Sequence, residues 1–366
     1  MHFLPVLLIW IVVAQLGALT YLFITPAVAP DTAPRQTSTA DHLLPAPDQP
    51  SLFTLPSKIG QRIPDILLKS AAYQQATVAA TPERSEATTD EPLEALVNVF
   101  CTIRTDEYIR TTTGTGFFID PDGVVMTNAH IAQFLLLEDT DSFGEANCIL
   151  RSGDPAAPRY EAELLYLPPA WVLENAGVFY EEVPMGTGER DYALLYVADT
   201  IDDTTMPERF PALAFDTSLL PVSTKNDPVL AAGYPAANLA SEGSDALLRP
   251  QKASTTVSEL YTFGSNYADV FSIRGSVVGA EGASGGPILN DSGEVIGLIV
   301  TRGDDSIDGA GSLRAITLSH IARTIEEESG FSLEQSLAGD LPNRSTIFTD
   351  TLSPFLLSLL EAERPE

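Results

Sequence analysis

Two stretches of this chain carry residue types that could do nucleophilic chemistry. The first is Gly282-Ala283-Ser284-Gly285-Gly286-Pro287, a serine among glycines on what reads as a tight turn. The missing side chains let a substrate carbonyl approach and leave backbone N–H groups to meet the negative charge that develops on it. A serine hydroxyl is a weak nucleophile at its own pKa, so Ser284 needs a base to take its proton and a carboxylate to orient that base. The chain has four histidines. His2 lies beside an apolar N-terminal run and His42 in a Pro/Ala/Thr-rich stretch, which leaves His130 and His320. His130 closes the second stretch, from Gly114-Thr115-Gly116-Phe117 to Thr127-Asn128-Ala129-His130. That stretch reads as strand, turn at Pro121 to Gly123, strand and corner.

Together, G-T-G-F with T-N-A-H and G-A-S-G-G-P resemble the trypsin-like (chymotrypsin-fold) serine peptidases, and among them the HtrA/Deg branch, over roughly residues 93–325. The resemblance implies an all-β domain of two six-stranded Greek-key β-barrels at about 92–205 and 225–325, followed by a short C-terminal helix. It implies endopeptidase action on protein or peptide substrates with no cofactor and no metal. It also implies a third member between base and nucleophile, in the chain order of the chymotrypsin group. Asp191 fits, because in Arg190-Asp191-Tyr192-Ala193-Leu194-Leu195-Tyr196-Val197 a short polar lead precedes an apolar β run. His130 is then the base, Asp191 its orienting acid, Ser284 the nucleophile, and the N–H groups of Gly282 and Ser284 the oxyanion hole.

By the same resemblance Val278, Val300 and Leu313 line the primary specificity pocket and favour small or medium apolar side chains. Arg302 beside them invites acidic ones instead. Ala283 stands where zymogen-activated members carry aspartate, which closes activation by a newly cut N-terminus. The segment 326–366 is shorter than a PDZ domain, so the expected protein is a branch member without one. Two other function classes share the pattern: a catalytically inactive trypsin-like binding module, and a serine esterase.

The elements that must hold these residues are strands. Ala95–Ile103, Cys148–Arg151, Tyr160–Leu167 and the run after Asp191 complete the first barrel. Val229–Pro235, Ala253–Ser258, Phe271–Val278, Gly293–Val300 and Gly311–Ile316 build the second, and no internal repeat is visible. Cys101 and Cys148 both fall in strands of the first barrel. They are either a disulfide in an oxidising compartment or two buried thiols. Pro168–Glu189, with Trp171, Phe179 and Tyr180, reads as an inserted surface loop. His320 opens a helix at Ser319–Glu328 as a surface or capping residue. The apolar tail segment Ile347–Leu360 is interrupted by Pro354 and packs on the domain or on a partner.

A hydrophobic content of 44% supports a sizeable core, and a net charge of −30 excludes a nucleic-acid partner, whose phosphates would be repelled. Phe3–Ile24 is an apolar run of membrane-spanning length, expected as a transmembrane anchor over 1–25. A cleaved signal peptide ending at Ala27-Val28-Ala29 is the rival reading. Residues 26–91, rich in Pro, Ala and Thr, read as a linker in which 63–75 forms one short helix. The expected arrangement is a membrane-anchored protein with its peptidase domain outside the cytoplasm.

Overall fold

The computed structural model describes residues 86–138, 140, 142–181, 188–201, 205–236 and 247–364, all within one compact unit, Phe53–Glu366. The predicted anchor at 1–25, the linker up to residue 85 and the helix at 63–75 lie outside the described residues. Among those described, no helix is long and apolar enough to cross a membrane.

The described strands close into two antiparallel barrels. A short helix α1 (Pro92–Ala95) leads into β1 (Leu96–Arg104), β2 (Ile109–Asp120) and β3 (Val124–Thr127), and helix α2 (Ala129–Ala132) follows. After β4 (Glu145–Ser152), β5 (Ala157–Tyr166) and helix α3 (Pro169–Asn175), β6 (Ala193–Thr200) completes the first barrel, with strand order β1-β2-β3-β6-β5-β4. The second holds β7 (Pro228–Gly233), β8 (Gln251–Tyr261), β9 (Val270–Ile273), β10 (Pro287–Leu289), β11 (Val295–Arg302) and β12 (Leu313–Thr317), with helix α4 (Asp305–Asp308) between its last two strands. Here β9 pairs with β12 and β10 closes on β7, as β3 pairs with β6 and β4 closes on β1. The two barrels therefore share one topology, although the sequence shows no repeat.

Strand alternation explains why the strand sequences read as continuous apolar runs. Side chains on a strand point to opposite faces in turn. In the first barrel Phe118, Val125, Ala193, Leu195 and Val197 face the barrel interior. Their neighbours Phe117, Ile119, Val124, Met126 and Leu194 enter a second cluster shared with Leu289, Val295, Leu298, Val300 and Ile316 of the second barrel. Each seam strand thus buries both faces, and each such side chain contributes about 2 kcal/mol by leaving water.

The region after β12 exceeds the short helix expected there. Helix α5 (Leu318–Ser329) is followed by α6 (Leu333–Leu337), α7 (Leu341–Thr351) and α8 (Ser353–Ala362). Pro342 and Pro354 sit in the first turns of α7 and α8, where the missing N–H costs nothing, so they start helices rather than interrupt one. Phe348, Leu352, Leu356 and Leu360, four residues apart, form one buried stripe against the first barrel. The expected surface loop at 168–189 is also corrected over its described part. Trp171, Val172 and Phe179 are buried in that same cluster, and the Tyr180 hydroxyl donates to the Leu360 carbonyl at 2.6 Å.

Cys101 and Cys148 stand directly opposite one another in the β1–β4 ladder and are joined by a disulfide, S–S 2.05 Å. Thiol titration of the denatured, unreduced protein is expected to find no free thiol. Because the bond closes a loop with a sequence separation of 47, reduction should lower unfolding stability by about 4 kcal/mol in a denaturant titration.

Candidate active site

The nucleophile turn is pressed onto the first barrel by backbone contact. The Thr115 N–H of β2 donates to the Ser284 carbonyl at 2.7 Å, and the Thr115 hydroxyl donates to the Gly282 carbonyl at 2.6 Å. Thr115 is buried; its hydroxyl also accepts from the Tyr234 N–H at 2.9 Å, and its carbonyl accepts from the Thr127 hydroxyl at 2.7 Å. The approach is so close that a Cβ at Gly285 would lie 1.8 Å from the Thr115 carbonyl oxygen, and Gly285 has φ +87°. No other residue type fits that position. Thr127, which a Gly285 side chain would also strike, is three residues before His130.

His130 sits in α2 and is buried. The Asp191 carboxylate holds it twice: Oδ1 accepts the His130 backbone N–H at 3.0 Å, and Oδ2 lies 2.8 Å from Nδ1. A carboxylate only accepts, so Nδ1 carries a proton, and in the neutral ring the lone pair is then on Nε2. Asp191 is itself fully buried two residues before β6, and its carbonyl accepts from the Asn128 side-chain amide at 2.8 Å. Asn128 and Thr115 are the functional neighbours that sequence reasoning quoted within motifs without assigning a task.

The Ser284 hydroxyl donates to the Val300 carbonyl at 3.2 Å, and among the described residues no hydrogen bond joins it to His130. The structure therefore contains the paired acid and base and the docked serine turn, with the hydroxyl turned to β11. Among the described residues the N–H groups of Gly282 and Ser284 are engaged in no hydrogen bond, while those of Ala283 and Gly286 are used within the turn and that of Gly285 donates to the Ile299 carbonyl of β11.

The predicted pocket residues fall in three environments. Val278 and Leu313 are in the interior of the second barrel with Ala283, and Val300 is in the cluster between the barrels. Arg302 is exposed and ion-paired with Asp305 at 3.2 Å. Among the described residues no group of His, Cys, Asp and Glu side chains has the arrangement of a metal site.

His320 departs from expectation. It is buried rather than at the surface, because Asp269 at the head of β9 holds it, with Nδ1 and Oδ1 3.1 Å apart. Burial alone would push the Asp269 carboxyl up. Hydrogen bonds from the Ser265 hydroxyl, the Phe263 N–H, Arg323 and His320 outweigh it and hold the carboxyl down to about 2. Burial lowers His320, against the pull of Asp269. This second His–Asp pair closes the β8–β9 loop onto α5, and among the described residues its far nitrogen, Nε2, has no hydrogen-bond partner.

The trypsin-like peptidase domain family matches residues 114–298. Among solved structures, the active form of the Rv3671c protease from M. tuberculosis is 20% identical, with 79% of this chain and 94% of that one covered and a TM-score of 0.39. The inactive form of the Rv3671c protease is likewise 20% identical, covering 71% of this chain and 96% of that one, with a TM-score of 0.37. No curated protein matches the chain.

The Asp269 cluster makes a stability prediction. A carboxyl held below its ordinary 3.8 contributes stability that is present above that value and lost as pH falls towards about 2. Asp269→Asn should therefore cost on the order of 3 kcal/mol near neutrality, from the buried partners it leaves unpaired. In urea titrations the gap to the unmodified protein should narrow steadily from about pH 4 to about pH 2; a gap that stays constant across that range would refute the account.

Proposed function

The chain belongs to the trypsin-like peptidase family, and from that premise we propose that it is a serine endopeptidase working through Ser284, His130 and Asp191. The observation that carries this reading is the double hold of the Asp191 carboxylate on His130. It fixes the tautomer whose Nε2 accepts a proton, which is what a base for serine needs.

In the proposed reaction the Ser284 hydroxyl leaves the Val300 carbonyl, turns to Nε2 of His130 and attacks the scissile carbonyl carbon while its proton passes to the imidazole. Such catalytic hydrogen bonds commonly form only when substrate is bound. Asp191 stabilises the imidazolium. The N–H groups of Gly282 and Ser284, unengaged in the turn, receive the oxyanion, each worth about 3 kcal/mol. The imidazolium gives its proton to the leaving amine, and water then attacks the acyl-enzyme by the same route in reverse.

A preference for small or medium apolar residues before the cut rests on the family resemblance of Val278, Val300 and Leu313, which are buried in the apolar clusters, and Arg302 is tied to Asp305, which weakens the case for acidic ones. The apolar run at 3–24 and the disulfide support a membrane-anchored enzyme with its domain in an oxidising compartment outside the cytoplasm. The HtrA/Deg resemblance rests on the G-T-G-F, T-N-A-H and G-A-S-G-G-P motifs.

The Ser284 hydroxyl's bond to Val300 favours a second reading, an inactive binding module that keeps the fold. Labelling by a serine-directed fluorophosphonate decides between them. The endopeptidase is labelled, Ser284→Ala is not, and Asp191→Asn turns over peptides on the order of 10⁴-fold more slowly. A folded protein that takes no label is the binding module. A peptide-library digest read against simple esters separates peptidase from esterase and reports the residue preferred before the cut.

A further inference from the structure

Both residues flanking Asp191 are held by one face of one helix. On the N-terminal side, Arg190 has φ +57°, a left-handed conformation that a non-glycine residue keeps only when its surroundings impose it. Its Nε lies 2.6 Å from Oε1 of Glu328 in α5, and Oε2 of Glu328 accepts from the Tyr166 hydroxyl of β5 at 3.0 Å. The Glu328 side chain is 7% exposed. On the other side, the Tyr192 ring is fully buried and its hydroxyl lies 2.8 Å from that of Thr324, also in α5. Thr324 and Glu328 are four residues apart, so they share a helix face. The chain turns tightly across the acid itself, because the Tyr192 N–H donates to the Arg190 carbonyl at 2.9 Å.

We infer that α5 is a positioning element for the catalytic acid: through Glu328 and Thr324 it grips the two neighbours of Asp191 and so aims the carboxylate at His130. The inference rests on the proposed reading of Asp191 as the acid of the serine reaction. Helix α5 continues directly from β12, and its apolar side, with Leu318, Ile321 and Ile325, packs in the cluster between the barrels. The helix thus extends from the barrel that carries Ser284 and holds the acid of the other barrel, so one rigid body sets both.

The charges around Glu328 are Arg190, with Glu189 and Glu174 near the guanidinium, Tyr192 and Tyr166 from the first barrel, and Glu327 on α5 itself. Burial pushes the Glu328 carboxyl up to about 7 against the pull of Arg190 and Tyr166. A raised carboxyl stabilises the fold below its ordinary 4.5, and that contribution is lost as pH rises through about 7. The grip has the opposite sign: the ion pair with Arg190 is complete above about 7 and loses its charge below it. Activity should therefore gain with pH through Glu328.

The test uses the full-length protein with Glu328→Gln, Thr324→Val and, as a control on the exposed side of α5, Glu326→Gln. The readouts are fluorophosphonate labelling rate, kcat and KM on a peptide substrate, thermal midpoint, and the acid limb of log kcat/KM against pH. The unmodified protein should show an acid limb steeper than one proton. Glu328→Gln should reduce it to one proton and lower kcat about tenfold at pH 8 with KM within twofold, and Thr324→Val should lower kcat about threefold. Glu326→Gln should change nothing. An unmodified acid limb and kcat in Glu328→Gln overturn the inference, as do losses that follow the thermal midpoint while the limb stays steep. Should Glu328→Gln fail to fold, Thr324→Val and Tyr192→Phe decide by the kcat criterion. An unmodified protein that takes no fluorophosphonate would instead remove the peptidase reading, and this inference with it.

Discussion

The structure depends on one constraint: the turn carrying Ser284 must lie against the second strand of the other barrel at van der Waals distance. Thr115 spends its N–H and its hydroxyl on that turn, and its carbonyl is so close to Gly285 that a side chain is forbidden there. The glycines of G-A-S-G-G-P are therefore first a docking requirement, and the unengaged N–H groups of Gly282 and Ser284 are what remains once the turn has spent the others. The contact fixes the Ser284 turn of one barrel against β2 of the other. The cluster between them, with Phe117, Met126, Leu298 and Ile316, supplies the apolar burial behind it.

The buried polar groups follow a consistent logic. Asp191 and Asp269 are both enclosed carboxylates facing a histidine, and both are stabilised by several donors rather than by solvent. What separates them is the far side of the ring. His130 follows β3, whose Thr127 bonds the Thr115 carbonyl beside the nucleophile turn, whereas His320 lies on α5 itself with the Phe263 ring 5.1 Å away. Among the described residues a His–Asp pair thus occurs twice as a structural unit, and in the proposed reaction only the one at His130 serves Ser284.

What could be read from the sequence follows the range of the interactions. Local patterns were legible: the strands around Phe117 and Leu194 announce themselves because both of their faces are buried, and the two glycine-rich motifs because their backbone demands exclude other residues. Pairings between distant segments were not. Whether Cys101 meets Cys148 depends on strand register, which composition does not encode, and the Asp269–His320 contact spans a separation of 51. The helices after α5 were hidden by Pro342 and Pro354, residues that end a helix in its interior and begin one in its first turn. Trp171 and Phe179 looked like a loop's exposed aromatics because the surface that covers them is nearly two hundred residues away along the chain.

That last packing arrangement sets an order of assembly. The stripe Phe348, Leu352, Leu356 and Leu360 is part of the same apolar cluster as the interior of the first barrel. During synthesis the N-terminal barrel emerges first, yet its outer wall stays uncovered until residues near 360 have left the ribosome. A nascent chain stalled anywhere in the second barrel would hold a half-clad first barrel, so that barrel cannot finish burying its outer wall before the helices that follow the second barrel have been made.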